Sequence, residues 1–229
     1  MTSEKSPSTR KWNIMIAILV LCLAIGFIIG ILYSRSHREI DRTISTSSDW
    51  RNAYLEYLQK DPDASQEDYT LVFVDDDDIP ELVILGPYEA KGNQILSYQD
   101  GKVAALQTRR LNYSFLEKKG LLLNSDGNMG SYYDDLYSLK GGNWQLIASG
   151  TYGSGTQDSP YTYQWEGKPV SKEQYEKKLN HVYREKNSSI GAQTYNYTEI
   201  KQMLTTGKLT VGAPKDAEPM LRTAWSDNN

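Results

Sequence analysis

The chain has 229 residues, with 25 lysines and arginines against 29 aspartates and glutamates, and a net charge of −4. An acidic chain lacks the basic face that a nucleic-acid partner needs, so no nucleic acid is expected as a partner. The only histidines, His37 and His181, lie far apart in the chain, so a two-histidine metal site is not expected, and a single cysteine leaves no disulfide to hold the domain.

Residues 1–12 are polar and carry Lys5, Arg10 and Lys11. From Ile14 to Leu32, nineteen consecutive positions carry no charge. A helix rises about 1.5 Å per residue, so this run just spans a hydrocarbon core of roughly 30 Å. Trp12 and Tyr33 bracket it, where amphipathic rings favour the headgroup layer. The run exceeds the about 7–15 apolar residues of a signal peptide, and Tyr33-Ser34-Arg35-Ser36 is not a small-x-small cleavage site. Leu21 before Cys22 is not the small residue that precedes a lipidated cysteine. The sequence therefore predicts an uncleaved transmembrane anchor over 13–33. Arg35, Arg38 and Arg42 balance the three bases before the span, a tie under the positive-inside rule. The free amino terminus and the Arg10-Lys11 pair tip the expectation to a cytoplasmic tail over 1–12 and a main domain outside the cell membrane. The Gly26-x-x-x-Gly30 spacing fits either close packing of two anchors or plain tolerance of glycine. Residues 34–48, rich in Ser, Thr and Arg, read as a juxtamembrane linker.

One domain is expected over 49–206, held by its core. Trp50, Tyr54, Tyr57 and Leu58 give a helix from Asp49 to Lys60 one apolar face, with Asp49 as cap and Asp61-Pro62 as stop. Thr70–Val74 and Glu81–Leu85 read as short buried strands around an acidic turn. Gln94–Gln99 and Lys102–Leu106 meet at Asp100-Gly101, a hairpin signal. Gly120–Leu123 runs into a turn expected at Asn124-Ser-Asp-Gly127. Tyr132–Leu139 and Trp144–Tyr152 flank Lys140-Gly-Gly-Asn143, and Tyr161–Trp165 and Lys168–Val170 meet at Glu166-Gly167. Spacings of about ten residues suggest an antiparallel meander. Ser171-Lys-Glu-Gln174 is a capping box for a helix bearing Tyr175, Leu179, Val182 and Tyr183. A last short helix starts at Thr198, and residues 207–229 read as a flexible tail. The predicted class is α+β, one meander sheet with helices packed on one face.

The acidic turn, Phe73-Val-Asp-Asp-Asp-Asp-Ile-Pro-Glu-Leu82, is the most informative segment. At an effective dielectric near 20, two of its charges roughly 5–6 Å apart repel by about 3 kcal/mol. Such a turn between hydrophobic strands is reasonable either as a solvated loop or with a cation to offset the repulsion. Hard cations such as calcium take about six to eight oxygens. In extended backbone Asp75 and Asp77 point one way and Asp76 and Asp78 the other, so Asp75, Asp77 and Glu81 are the candidate ligands.

The segment resembles the Asp-x-Asp-x-Asp-Gly-x-x-Glu type of calcium loop. More closely, it resembles the DDDDIPEL signature of uncharacterised, membrane-anchored or lipid-anchored surface proteins of Clostridia-type bacteria. In that group a Tyr-rich helix, the acidic turn, a Gly-rich strand segment and a Ser-x-Glu-x-Tyr helix start follow one another. Here they correspond to Trp50–Leu58, Asp75–Leu82, Thr151–Thr156 and Ser171–Tyr175. The resemblance covers Asp49 to Leu204 and implies a surface location but no activity. Aligned through Ile79-Pro80-Glu81, the first loop aspartate falls on Phe73 and the turn glycine on Asp78, two departures from a complete calcium loop.

Enzyme motifs are sparse. His37 lies in the linker, and a Ser-His-Asp triad would have to use His181. Gly153-Ser154-Gly155 lacks both the Gly-x-Ser-x-Gly elbow and the Gly-Lys-Ser/Thr of a phosphate loop. Asp134, Asp135 and Asp158 are the acids open to glycoside hydrolysis. The 17 tyrosines fit cross-strand packing or a carbohydrate-stacking face. Two readings follow. One is a membrane-anchored, extracytoplasmic binding or structural module, calcium-stabilised, with a protein or cell-wall partner. The alternative is a membrane-tethered hydrolase acting on cell-wall glycan or peptide through carboxylates.

Overall fold

The computed structural model describes residues 47–154 and 161–217. The predicted tail, anchor and most of the linker lie outside the described residues. Among the described residues no helix is long and apolar enough to cross a membrane. The chain divides into two units, Met1–Arg42 and Thr43–Asn229, and every element below belongs to the second.

In chain order these elements are α1 (Asp49–Gln59), β1 (Asp68–Val72), β2 (Glu81–Leu85), β3 (Gln94–Gln99), β4 (Lys102–Gln107), β5 (Ser114–Leu116), β6 (Leu121–Asn128), β7 (Ser131–Lys140), β8 (Asn143–Gly153), β9 (Thr162–Trp165), β10 (Lys168–Val170), α2 (Lys172–Val182), β11 (Ser189–Ile190), α3 (Tyr197–Thr206) and β12 (Lys215–Asp216). The fold is α+β with antiparallel sheets and few helices. The single meander of the sequence reading is replaced by two sheets. β1 to β4 pair in chain order, and the second sheet runs β10-β9-β8-β7-β6-β5-β11-β12.

The pattern of apolar residues explains the division. Leu122 and Leu123 are adjacent on β6 and both buried, so the strand is apolar on both faces. Leu122 joins Phe115, Val72, Val83 and Ile95 in a core between the two sheets. Leu123 joins Leu136, Tyr152, Tyr175 and Leu179 under α2. The outer face of the first sheet is closed by α1 and α3, through Trp50, Tyr54, Leu58, Ile200 and Leu204 against Tyr69, Leu71, Leu82 and Leu96. Helices therefore cover the outer face of each sheet rather than one face of a single sheet. A strand buried on both faces shows an uninterrupted apolar run instead of alternation, which is how Leu82-Val83-Ile84 reads. Each such fully buried Leu, Ile or Phe contributes roughly 1.5–3 kcal/mol through removal from water.

Asp100-Gly101, Gly141-Gly142 and Glu166-Gly167 turn the chain at the predicted hairpins, with positive φ at both residues of each pair, as two-residue hairpin turns require. Gly142 is also fixed by contact, because a Cβ there would lie 2.4 Å from the Cβ of Gln99. The turn expected at Asn124–Gly127 does not form: β6 runs through it and the chain reverses at Met129-Gly130. The side chains that usually favour a turn hold a crossing segment instead. Asn124 accepts from the Arg109 N–H at 2.9 Å and donates to Asn112 O at 2.6 Å. Asp126 accepts from Arg110 Nε at 3.1 Å.

Ser171 caps α2 with the predicted capping box. α3 begins one residue before the expected start, capped reciprocally by Asn196 and Glu199. Asp49 does not cap α1. It lies in the first helical turn, where its charge meets the positive end of the helix dipole. Part of the expected flexible tail is tied to the fold: β12 pairs with β11, and Leu209 and Val211 pack against the outer core of the first sheet.

Candidate metal centre

The acidic turn joins β1 to β2 and is held at both ends. At its start, Phe73 O accepts from Lys118 N at 3.1 Å, and Val74 O accepts from Lys119 N at 2.9 Å and Gly120 N at 2.8 Å. The turn between β5 and β6 thus grips the first residues of the loop. At its end, the buried Tyr54 hydroxyl of α1 shares its proton between Pro80 O at 3.2 Å and Leu96 O at 3.1 Å.

Within the loop, Asp75 Oδ1 accepts from Asp77 N at 3.3 Å and Asp77 Oδ1 accepts from Ile79 N at 2.8 Å. These are the side-chain-to-backbone turns that aspartate favours. Glu81 opens β2, is only 2% exposed, and accepts from Val74 N through Oε2 at 2.7 Å. One carboxylate oxygen from each of Asp75, Asp77 and Glu81 lies within 4.8 Å of the other two. The three predicted ligands are therefore brought together, and Asp76 and Asp78 are not part of the cluster.

Burial raises the Glu81 carboxyl well above its ordinary range, and the charges of Asp75 and Asp77 add to the effect. Burial, then the Asp77 charge, pushes Asp75 up to about 6. Asp77 is raised as well, chiefly by burial. Among the described residues no lysine or arginine pairs with any of the three. Crowded carboxylates without a cation must take up protons or accept a counter-ion. The triad could hold a metal ion. Carboxylate oxygens suit a hard cation, with backbone carbonyls or water filling the remaining coordination positions.

Tyr54, the Val74 N–H and the Lys118–Gly120 turn were not legible as parts of this site. The helical stripe places Tyr54 in the core, but nothing local shows where its hydroxyl bonds.

The other candidates do not assemble. Asp134 and Asp135 are adjacent on β7 and point to opposite faces. Asp134 accepts from the Tyr175 hydroxyl at 2.5 Å and from the Ser125 hydroxyl. Asp135 pairs with Arg109 at 3.2 Å and accepts from Ser149 Oγ at 2.7 Å. His181 is exposed on α2, and His37, Gly155 and Asp158 lie outside the described residues. The tyrosine row Tyr132, Tyr152, Tyr163 stacks at 5.1 and 5.8 Å between ring centroids, and Tyr175 of α2 packs edge-on against Tyr152 and Tyr163. These rings pack the second sheet against its helix. No protein-family model, curated protein or solved structure matches the chain.

Proposed function

We propose that the turn formed by Asp75, Asp77 and Glu81 binds calcium, and that the chain is a membrane-anchored extracytoplasmic binding or structural module stabilised by that ion. The observation that carries this reading is the convergence of three carboxylates, one of them buried, with no lysine or arginine among the described residues paired to them. Calcium suits the site better than magnesium, because magnesium demands near-ideal octahedral geometry and keeps its waters. The loop departs from a complete calcium loop at Phe73 and Asp78, so the affinity belongs to the weak class of extracellular sites, about 0.1–1 mM. The apolar run Ile14–Leu32 supports anchoring in the cell membrane through residues 13–33, and the partner is a protein or a cell-wall polymer. The ion ties the β1–β2 turn to the start of β2.

Terbium, which replaces calcium at oxygen sites, tests the site directly. With Tyr54 beneath the turn, tyrosine excitation of the full chain in detergent should give sensitised terbium emission that calcium displaces and Asp77→Ala abolishes. Emission unchanged in Asp77→Ala would place the bound ion elsewhere.

A further inference from the structure

The sheet edges of the protein are guarded unequally. β1 is bridged through Tyr69 to Tyr195. β10 carries Lys168 and Pro169, and β12 is only Lys215 and Asp216. β4 exposes only Lys102, Ala105 and Gln107. Charge, proline and short length are the usual means of keeping a free edge from pairing with another chain. β8 has a further free edge along its first half. β9 pairs with it only over Gly150–Gly153. At Ser149 the β9–β10 turn closes that side, with Glu166 N donating to Ser149 O at 2.8 Å and Ser149 N donating to Glu166 Oε1. From Asn143 to Ala148, β8 is paired with β7 alone among the described residues.

This open stretch, Asn143-Trp-Gln-Leu-Ile-Ala148, has no charge and no proline. It exposes two large apolar side chains side by side, Leu146 at 50% and Ile147 at 40%. Ile147 has no opposite residue on β7, so the bulge there leaves Asn143–Leu146 as the regular part of the edge. Such an edge is a template for another strand, and its charges say which. Lys140 stands at the Asn143 end and Glu166 at the Ser149 end. Both are exposed, and neither forms an ion pair among the described residues. A second copy of the same edge, laid antiparallel about a two-fold axis, presents the same surface in return. It brings the β7–β8 turn of each copy, with Lys140, up to Glu166 of the other. Parallel pairing would set like charges side by side.

We propose that the chain forms a two-fold dimer in which Asn143–Leu146 of two copies pair as antiparallel strands, with Leu146 and Ile147 covered by the second copy and Lys140 of each copy meeting Glu166 of the other. A contact built on so few residues belongs with the small, weak interfaces. The proposal is independent of the calcium reading.

Sedimentation equilibrium of the full chain in density-matched detergent, at neutral pH and low salt, tests it. The expected result is a monomer–dimer equilibrium with a Kd of about 1–100 µM. Leu146→Lys and Ile147→Lys put a charge on exposed edge positions and should each weaken the dimer about tenfold or more. Lys140→Glu, on the neighbouring strand, should weaken it severalfold and carries the test should an edge variant fail to fold. Gly26→Ile, in the predicted anchor, should leave the dimer unchanged, as should Asp77→Ala. A chain that stays monomeric up to about 500 µM, a dimer undiminished in Ile147→Lys or in Lys140→Glu, or a dimer lost in Gly26→Ile would each overturn the proposal.

Discussion

Glu81 has to satisfy opposite demands in the two states of the acidic turn. Without a cation, its buried carboxylate faces Asp75 and Asp77, offset by the bonds from Val74 N and from its own backbone N–H. A glutamine there keeps an oxygen for the bond from Val74 N and removes the charge. Glu81→Gln should therefore leave the chelated protein as stable as the parent or more stable, by up to about 1 kcal/mol, while abolishing the stabilisation by calcium. Denaturant midpoints in chelator and in calcium measure both effects. A large loss of stability in chelator would show that the glutamate is needed as a charge even in the ion-free protein. At this scale the sequence was most informative. Four adjacent aspartates and a glutamate mark the turn, and two-residue alternation separates Asp75 and Asp77 from Asp76 and Asp78. Tyr54 stayed hidden because its hydroxyl partners, Pro80 and Leu96, are 26 and 42 residues away. A helical stripe shows that a tyrosine is buried but not where its polar end goes.

At the level of elements, the contact between α2 and the second sheet depends on a small residue beneath a large one. A Cβ at Gly150 would lie 2.3 Å from the Tyr175 hydroxyl, and that hydroxyl bonds the buried Asp134. Gly150→Ala must displace the ring, and should destabilise by about 1–3 kcal/mol. Tyr175→Phe removes a donor to a buried carboxylate, for a loss of about 1–3 kcal/mol. Urea unfolding reads both, and a midpoint unchanged in either variant would contradict this account of the α2 interface. Hairpins with a glycine at the second turn position, such as Asp100-Gly101 and Glu166-Gly167, were legible because the turn conformation is a local demand. Asn124–Gly127 misled because the same residue types serve equally well to tether a crossing strand, and only the position of Arg109 and Arg110 decides between the two uses. Met129-Gly130 carries a weaker turn signal yet makes the turn.

For the whole molecule, the sequence shows strands and helices in the right order but not their division into two sheets. That division depends on which face each strand buries, and Leu122 and Leu123 bury opposite faces of one strand. Stability should also depend on pH in a direction set by the acidic turn. Asp75, Asp77 and Glu81 bind protons more tightly in the folded chain than the ordinary carboxyls of the unfolded chain do. The resulting stabilisation is complete below the unfolded values of roughly 4 and is lost as pH rises through the folded value, about 6 for Asp75. In chelator the melting temperature should therefore fall between about pH 4.5 and 7. Calcium should oppose that fall, because it binds the deprotonated carboxylates. A chelated protein whose stability rises steadily across this range would contradict the assignment of raised carboxyls.

The measurement that bears most directly on the central claim is thermal unfolding of the full chain in detergent at neutral pH, in calcium and in chelator, for the parent and for Asp77→Ala. A ligand bound only by the folded state adds RT ln(1 + [L]/Kd). At roughly 5 mM calcium and a Kd of about 0.1–1 mM this is about 1–2 kcal/mol, a rise of a few degrees. The account predicts that rise in the parent and its loss in Asp77→Ala. Equal melting temperatures of the parent in calcium and in chelator would contradict it and leave the four aspartates as a solvated turn.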